Sequence, residues 1–322
     1  MTRWLLPGLC LILACALPAA SQVDLRYGWK PDEVFILDKT LETSGTVQTG
    51  THPALETRQR TLIRKKVTVN KVDALGNAQL SVAVLSVSAT KTVGESRFQY
   101  SLTPDQIALD HTRIWQDSQD PKRIQERLRQ LFKPRVMWCA ARGQTQSPVQ
   151  PEAVRQGTAA ADEFSLFGLG EEGWIILPDQ PVQIGDSWQD ASRQPVRSGT
   201  AELSNRLSLR LSGLETRSGN TVATIAFERE WQSRNLQFNS APRDTSNNPE
   251  KVKAIFPRTE QHFTGTVEFD ASEGRTLRCE CEGTADVRYR LTQPTVLFKE
   301  TSPLIHYRWD RVRSQTEWKQ AD

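Results

Sequence analysis

The chain has 322 residues, with 41 Lys or Arg against 38 Asp or Glu, a formal charge of +3, and nine Trp. So near a balance excludes a dedicated nucleic-acid binder, whose footprint is a strong patch of one sign. The Trp content supplies large buried areas, enough for a real core.

Met1-Thr2-Arg3 opens the chain, an apolar run follows from Trp4 to Leu17, and Ala19, Ala20 and Ser21 close it. A charged start, an apolar middle and a small-residue exit form the pattern of a signal peptide over residues 1–21. The run is too short to span a bilayer as a mature helix, and no later stretch is long and apolar enough to do so. Two exits are open: cleavage after Ala19-Ala20-Ser21, or a cut before Cys15, because Ile12-Leu13-Ala14-Cys15 resembles a lipobox. Both predict an extracytoplasmic protein, in the periplasm or at the cell surface, and the second anchors it by a lipid on Cys15.

About 300 residues remain, which suits two domains, predicted as 22–160 and 161–322. Leu25, Tyr27 and Trp29 alternate as in a strand, Pro31-Asp32 makes a turn, and Val34 to Leu37 resumes the strand. Thr40 to Thr51 suits an extended segment or a wide loop. Leu62 to Val72, the turn Ala74-Leu75-Gly76-Asn77, and Leu80, Val82, Val84 and Val87 form a β-hairpin. Arg58, Arg60, Arg64, Lys65, Lys66 and Lys71 decorate its first strand, as a solvated face that discourages edge pairing or as an anion-binding stripe. Phe98, Tyr100 and Leu102 alternate again.

Asp120-Pro121 followed by Ile124, Leu128, Leu131 and Phe132 predicts one amphipathic helix at about 121–133. Val136, Trp138 and Ala140 read as a strand. Gln144 to Ala161 loses periodicity and reads as the linker between halves. Pro249 to Ile255 is a weak helix candidate. Thr276 to Cys281, Ala285 to Leu291, and Ile305, Tyr307 and Trp309 are the last predicted strands.

Three groups of residues recur in the same order. Pro31 and Val34 match Pro181 and Ile184. Val67, Val69 and Val72, with the Gly76-Asn77 turn, match Leu209, Leu211 and Leu214 with Gly219-Asn220. Val136, Trp138 and Gly143 match Val267, Phe269 and Gly274. The predicted fold is therefore mainly β: two tandem, duplicated, antiparallel curved sheets, half-barrel or sandwich-like, with one helix.

Chemistry-bearing motifs are weak. Once Cys10 and Cys15 go with the signal, Cys139, Cys279 and Cys281 remain. Cys279 and Cys281 share a strand face and are poorly placed to bridge each other, whereas Cys139 could pair with either. None of the four His has ligand spacing to them, so no metal site is assigned. Gly168 to Gly173 spells G-x-G-x-x-G but leads into an extended run rather than a helix. Ser88-Ala89-Thr90-Lys91 spells Ser-x-x-Lys, but on a strand residues three apart face opposite ways. Glu171 and Glu172 are adjacent in a loop and do not flank one bond. No catalytic, cofactor-binding or metal residue is assigned, and no cofactor is implied. Trp29, Trp188, Trp231, Tyr289, Tyr307 and Trp309 fall on alternating positions, as the core of the sheets or the lining of an apolar cavity.

The stretch LPDQPVQIGDSWQ at 177–189, with YGWKPDEVFIL upstream and a signal peptide ahead, resembles secreted bacterial proteins grouped as a domain-of-unknown-function family with a mid-chain Pro-Val-x-x-Gly-Asp-x-Trp strand opening. The resemblance implies a β-rich extracytoplasmic protein and carries no catalytic residues. The curved-sheet-plus-helix plan is also distantly similar to the half-barrel of periplasmic lipoprotein carriers. The function expected is a non-enzymatic envelope protein binding an apolar small molecule or lipid. The alternatives are an assembly module pairing its strand edges with another envelope protein, and a hydrolase with a dispersed site.

Overall fold

A computed structural model describes residues 22–110, 132–146, 174–189, 196–198, 201–240, 252–291 and 304–321. The strands are β1 Val34–Thr49, β2 Leu55–Val72, β3 Ala78–Val93, β4 Ser96–Leu102, β5 Ile107–Asp110, β6 Arg135–Cys139, β7 Thr145–Gln146, β8 Ser187–Gln189, β9 Val196–Ser198, β10 Ala201–Arg217, β11 Asn220–Ser240, β12 Val252–Asp270, β13 Arg275–Leu291 and β14 Leu304–Gln320. All belong to one antiparallel sheet. Its unbroken path runs β5-β4-β3-β2-β1-β14-β13-β12-β11-β10-β8, with β6 and β7 beside β3 and β9 beside β10. The path starts and ends on different short strands, so the sheet is open.

Two separate sheets were expected, and one is found. The reason is the seam between β1 and β14, which pair from Phe35 opposite Gln320 to Thr49 opposite Ile305. That seam leaves no bare strand edge between the N-terminal and C-terminal strands. The predicted helix at 121–133 lies outside the described residues except for its end at Phe132 and Lys133, which form a turn. The helix candidate at Pro249 to Ile255 is corrected in its described part, because β12 already starts at Val252.

The hairpins follow local chemistry. Between β2 and β3, the Asp73 carboxylate accepts the backbone N–H groups of Leu75 and Asn77, each at 2.9 Å. A further bond from the Asn77 side-chain amide, followed by these backbone bonds, holds the Asp73 carboxyl below the usual carboxylate range. Between β10 and β11, Ser218 and Gly219 both have positive φ, 51° and 89°, the paired requirement of a two-residue type I′ turn.

Alternation divides the sheet into faces. Val67, Val69, Leu80, Leu209, Leu211, Ile225, Val267 and Phe269 are buried on one, here called the inner face. Each such Leu or Phe contributes roughly 1.5–3 kcal/mol through burial. This face is covered at the hairpin-turn end by segments that are not strands. The run from Leu25 to Trp29 alternates as predicted but makes no ladder. Its backbone bonds go to Ala141 and Gly274 on either side, and Val23 bridges Val182. Tyr27 stacks on Trp29 with ring centroids 5.1 Å apart and meets Phe269 edge-on. The Tyr27 hydroxyl accepts the Ile175 N–H at 3.1 Å and lies 3.4 Å from Thr276 Oγ1. Burial pushes this phenol far above its ordinary value.

The 177–189 stretch completes the cover. Leu177 and Val182 are buried. Gly185 turns the chain with φ at 102°, and the Asp186 carboxylate accepts the Gln183 N–H at 3.0 Å. Trp188 then pairs with Leu209 in the ladder and donates its indole N–H to the Ile176 carbonyl at 2.7 Å.

The sheet curls about the inner face. Lys91 on β3 places its ammonium 5.4 Å from the centroid of Tyr307 on β14, although β2 and β1 lie between. In a flat sheet those strands would be about 14 Å apart. Side chains that meet over two intervening strands do so on the concave side.

Candidate functional site

Away from the hairpin turns, inward positions change character. One row crosses the sheet in register: Thr57 opposite Gly45, Gly45 opposite Trp309, Trp309 opposite Ala285, Ala285 opposite Gln261, and Gln261 opposite Trp231. The adjacent row toward the turns runs from Gln59 and Thr43 through Val312, Gly283 and Phe263 to Arg229. The chain thus keeps its two-residue period while replacing Leu and Val by polar or aromatic groups.

Gln261 is the most informative of these. It is 4% exposed, and neither its carbonyl oxygen nor its amide nitrogen has a hydrogen-bond partner. Beside it the Trp231 indole N–H is also buried and unpartnered. Leaving such a group unmatched costs about 1–3 kcal/mol, so buried polar atoms are rarely left this way without a reason. Arg229, 5% exposed, holds its guanidinium 5.3 Å from the Trp231 ring centroid, a cation–π geometry. Lys39, 7% exposed on β1, sits between Leu37 and Leu41 on the same face. The positive charge of Lys39 opposes the effect of burial on both Cys279 and Cys281, and Arg229 adds to it at Cys281; burial prevails, and both thiols are pushed up.

Cys139, Cys279 and Cys281 are buried free thiols. Burial pushes Cys139 up to about 12, so each is an inert core residue rather than a nucleophile. The Ser-x-x-Lys letters separate as expected: Lys91 faces inward beside the Tyr307 ring, and Ser88 takes the opposite face. The G-x-G-x-x-G stretch with Glu171 and Glu172 lies outside the described residues.

The basic stripe is divided by the pleat. Arg60 pairs with Glu42 at 3.4 Å and Arg64 with Asp38 at 3.5 Å on the outer face, which is the solvated cross-strand ladder of an exposed sheet. Lys65 belongs to the other side, opposite Leu37 and between buried Ile63 and Val67. Lys71 lies 5.0 Å from the Trp138 ring.

The outer face also carries Glu228, Glu230 and His262, whose ligand atoms lie within 4.8 Å of one another and could hold a metal ion. Glu230 and His262 border a groove of about 510 Å³ that Asp286, Arg308 and Asp310 also line and that reaches Gln261 and Trp309 of the first row. Sequence reading missed this convergence, since it depends on Glu230 facing His262 across β11 and β12. It also missed Lys39, Arg229 and Gln261, for which a signal existed: each is a polar residue at a position that alternation assigns to the core face. Of the aromatic residues proposed as core or cavity lining, Trp29 lies in the turn-end cover, Trp188 beside it, Trp231 and Trp309 in the first of these rows, and Tyr307 in the next row away from the turns, opposite Val287; the Tyr289 side chain lies outside the described residues.

No family model and no curated protein matches this chain. Among solved structures, one described as lipid-protein interactions in lipovitellin aligns with 91% of this chain and 26% of its own, at 10% identity and a TM-score of 0.41. This chain spans about a quarter of that protein's length, and a likeness of this size carries no functional argument. Among the described residues, no helix is long and apolar enough to cross a membrane.

Proposed function

We propose that the protein is an exported, non-enzymatic envelope protein that binds an amphipathic ligand on the inner, concave face of its sheet. The observation that carries the reading is Gln261, a buried amide with both polar atoms unmatched, in a row with Trp231 and Trp309 on that face. Valines and alanine beside these residues suit an apolar body, and the unmatched polar atoms suit a head group. Export is supported by the signal-peptide pattern over 1–21, with either ordinary cleavage or lipidation at Cys15. A duplicated origin of the halves 22–160 and 161–322 is supported by a shared pairing order, β1-β2-β3-β6 in one and β8-β10-β11-β12 in the other. The assembly-module alternative draws less support, since short terminal strands such as β5 and β8 are a recognised way of blunting edge pairing.

The test is native mass spectrometry of the full-length protein after incubation with a total envelope lipid extract. A discrete lipid adduct, lost on urea unfolding, is expected. Apoprotein alone across several extracts and ionic strengths overturns the reading.

A further inference from the structure

Inward positions of the strands carry Lys39, Lys65, Lys91 and Arg229. No Asp or Glu takes such a position on any described strand. The buried carboxylate, Asp270, closes the turn after β12 by accepting the N–H groups of Ser272 and Glu273, each at 3.0 Å. The outer face has no such bias: Glu42, Asp38, Glu282 and Glu268 each pair there with arginine. A chain close to neutral overall has therefore sorted its charge across the sheet. Its concave side has cations and aromatic rings at positions where alternation calls for apolar residues.

Cations so placed cost desolvation and set a positive potential that a low-dielectric wall strengthens. The unmatched donors have the same sense. The Trp231 indole offers an N–H and the Gln261 amide offers N–H groups; both are buried, Gln261 lies opposite Trp231 in the ladder, and the Trp231 ring lies against the Arg229 guanidinium. An oxyanion satisfies these N–H donors better than a neutral carbonyl does, and the unmatched Gln261 carbonyl oxygen calls for a donor beside it, which the P–OH of a singly protonated phosphate monoester supplies. On the other side Gln261 faces Ala285, next to Val287 and Trp309, which suits a hydrocarbon chain.

We infer that the ligand is an anionic amphiphile: a single hydrocarbon chain ending in a carboxylate or phosphate, with the head group at Gln261, Trp231 and Arg229. This rests on the ligand-binding reading above and specifies the sign of its head group. A carboxylate and a phosphate monoester share the oxyanion chemistry recognised, so both are included as probes.

Isothermal titration of the full-length protein compares four twelve-carbon probes below their micelle concentrations: laurate, dodecyl phosphate, dodecanol and dodecyltrimethylammonium. The expected result is that one or both anions bind at least tenfold more tightly than the neutral and cationic probes, with the stronger anion naming the head group. Equal binding of all four overturns the anionic assignment while leaving ligand binding intact. Binding of none overturns both. In variants, Gln261→Leu and Arg229→Gln should each weaken the preferred anion by about tenfold, whereas the exposed Arg210→Gln should not. Near-UV circular dichroism and retained dodecanol binding identify folded variants. Folded variants with unchanged anion affinity would overturn the location, and the wild-type probe series decides the charge preference even if a variant does not fold.

Discussion

Replacing Gln261 by Leu should make the unliganded protein more stable while weakening it as a binder. The side chain is 4% exposed and its two amide atoms have no partners. Each unmatched group costs about 1–3 kcal/mol, and a leucine of similar volume adds apolar burial at roughly 25 cal/mol per Å². Allowing for partial relaxation, the gain should be about 2 kcal/mol. That corresponds to a rise in Tm of roughly 4–8 °C for a domain somewhat smaller than this chain, and to somewhat less here. Urea denaturation followed by tryptophan fluorescence and by circular dichroism, on protein stripped of lipid, measures it. Leu207→Ala serves as the opposite control, an ordinary core truncation expected to cost about 2–5 kcal/mol. The refuting result is a loss of more than 1 kcal/mol for Gln261→Leu. It would mean that the amide is already matched in the free protein and that its row is ordinary core.

Tyr27→Phe removes the hydroxyl that accepts the Ile175 N–H at 3.1 Å, so a buried donor is stranded and unfolding free energy should fall by about 1–3 kcal/mol. Gly45→Ala drives a methyl carbon into the Arg308 carbonyl oxygen across the β1–β14 seam, and thermal unfolding should show a loss of about 3 kcal/mol or more. Asp270→Ala strands the turn N–H groups of Ser272 and Glu273 and should cost about 2 kcal/mol by urea titration. The thiols predict alkaline sensitivity. Cys139 is raised to about 12 in the folded protein, whereas an unfolded thiol ionises near 8.5. Its contribution is complete below about pH 8.5 and is lost as pH rises toward 12, at roughly 1.4 kcal/mol per pH unit. Cys279 and Cys281 are shifted the same way, so Cys139→Ala should flatten the fall between pH 9 and 10 without abolishing it.

The part of the fold legible in the sequence is the part where the two faces differ in polarity. Val67 and Val69 against Thr68 and Asn70, or Leu209 and Leu211 against Arg210 and Ser212, announce a strand because one face is core and the other is water. Farther from the turns both faces are polar: Thr57, Thr61, Ser233 and Thr259 point inward while arginines and glutamates point outward. The contrast vanishes there, although the strands continue for 16 to 21 residues. The extended run at 22–30 was legible as alternation but not as cover, because burial between two layers leaves the same period as a ladder. The β1–β14 seam had no local signal at all, since the residues that make it stand at opposite ends of the chain.

Those illegible rows are also where the candidate site lies, and the coincidence has a physical cause. At the turn end a leucine and the solvent-facing residue beside it satisfy every local rule, so sequence and structure agree. Lys39, Arg229 and Gln261 break the rule at inward positions, and each carries a desolvation cost that a valine there would avoid. A sheet with its core already made by Phe269, Leu211, Val67 and the Tyr27–Trp29 cover does not need them for folding. For Gln261, whose two amide atoms go unmatched, a local violation with no gain in stability is best explained by what it can bind. The anion preference follows from the sign of the violations, since the described strands turn only bases inward.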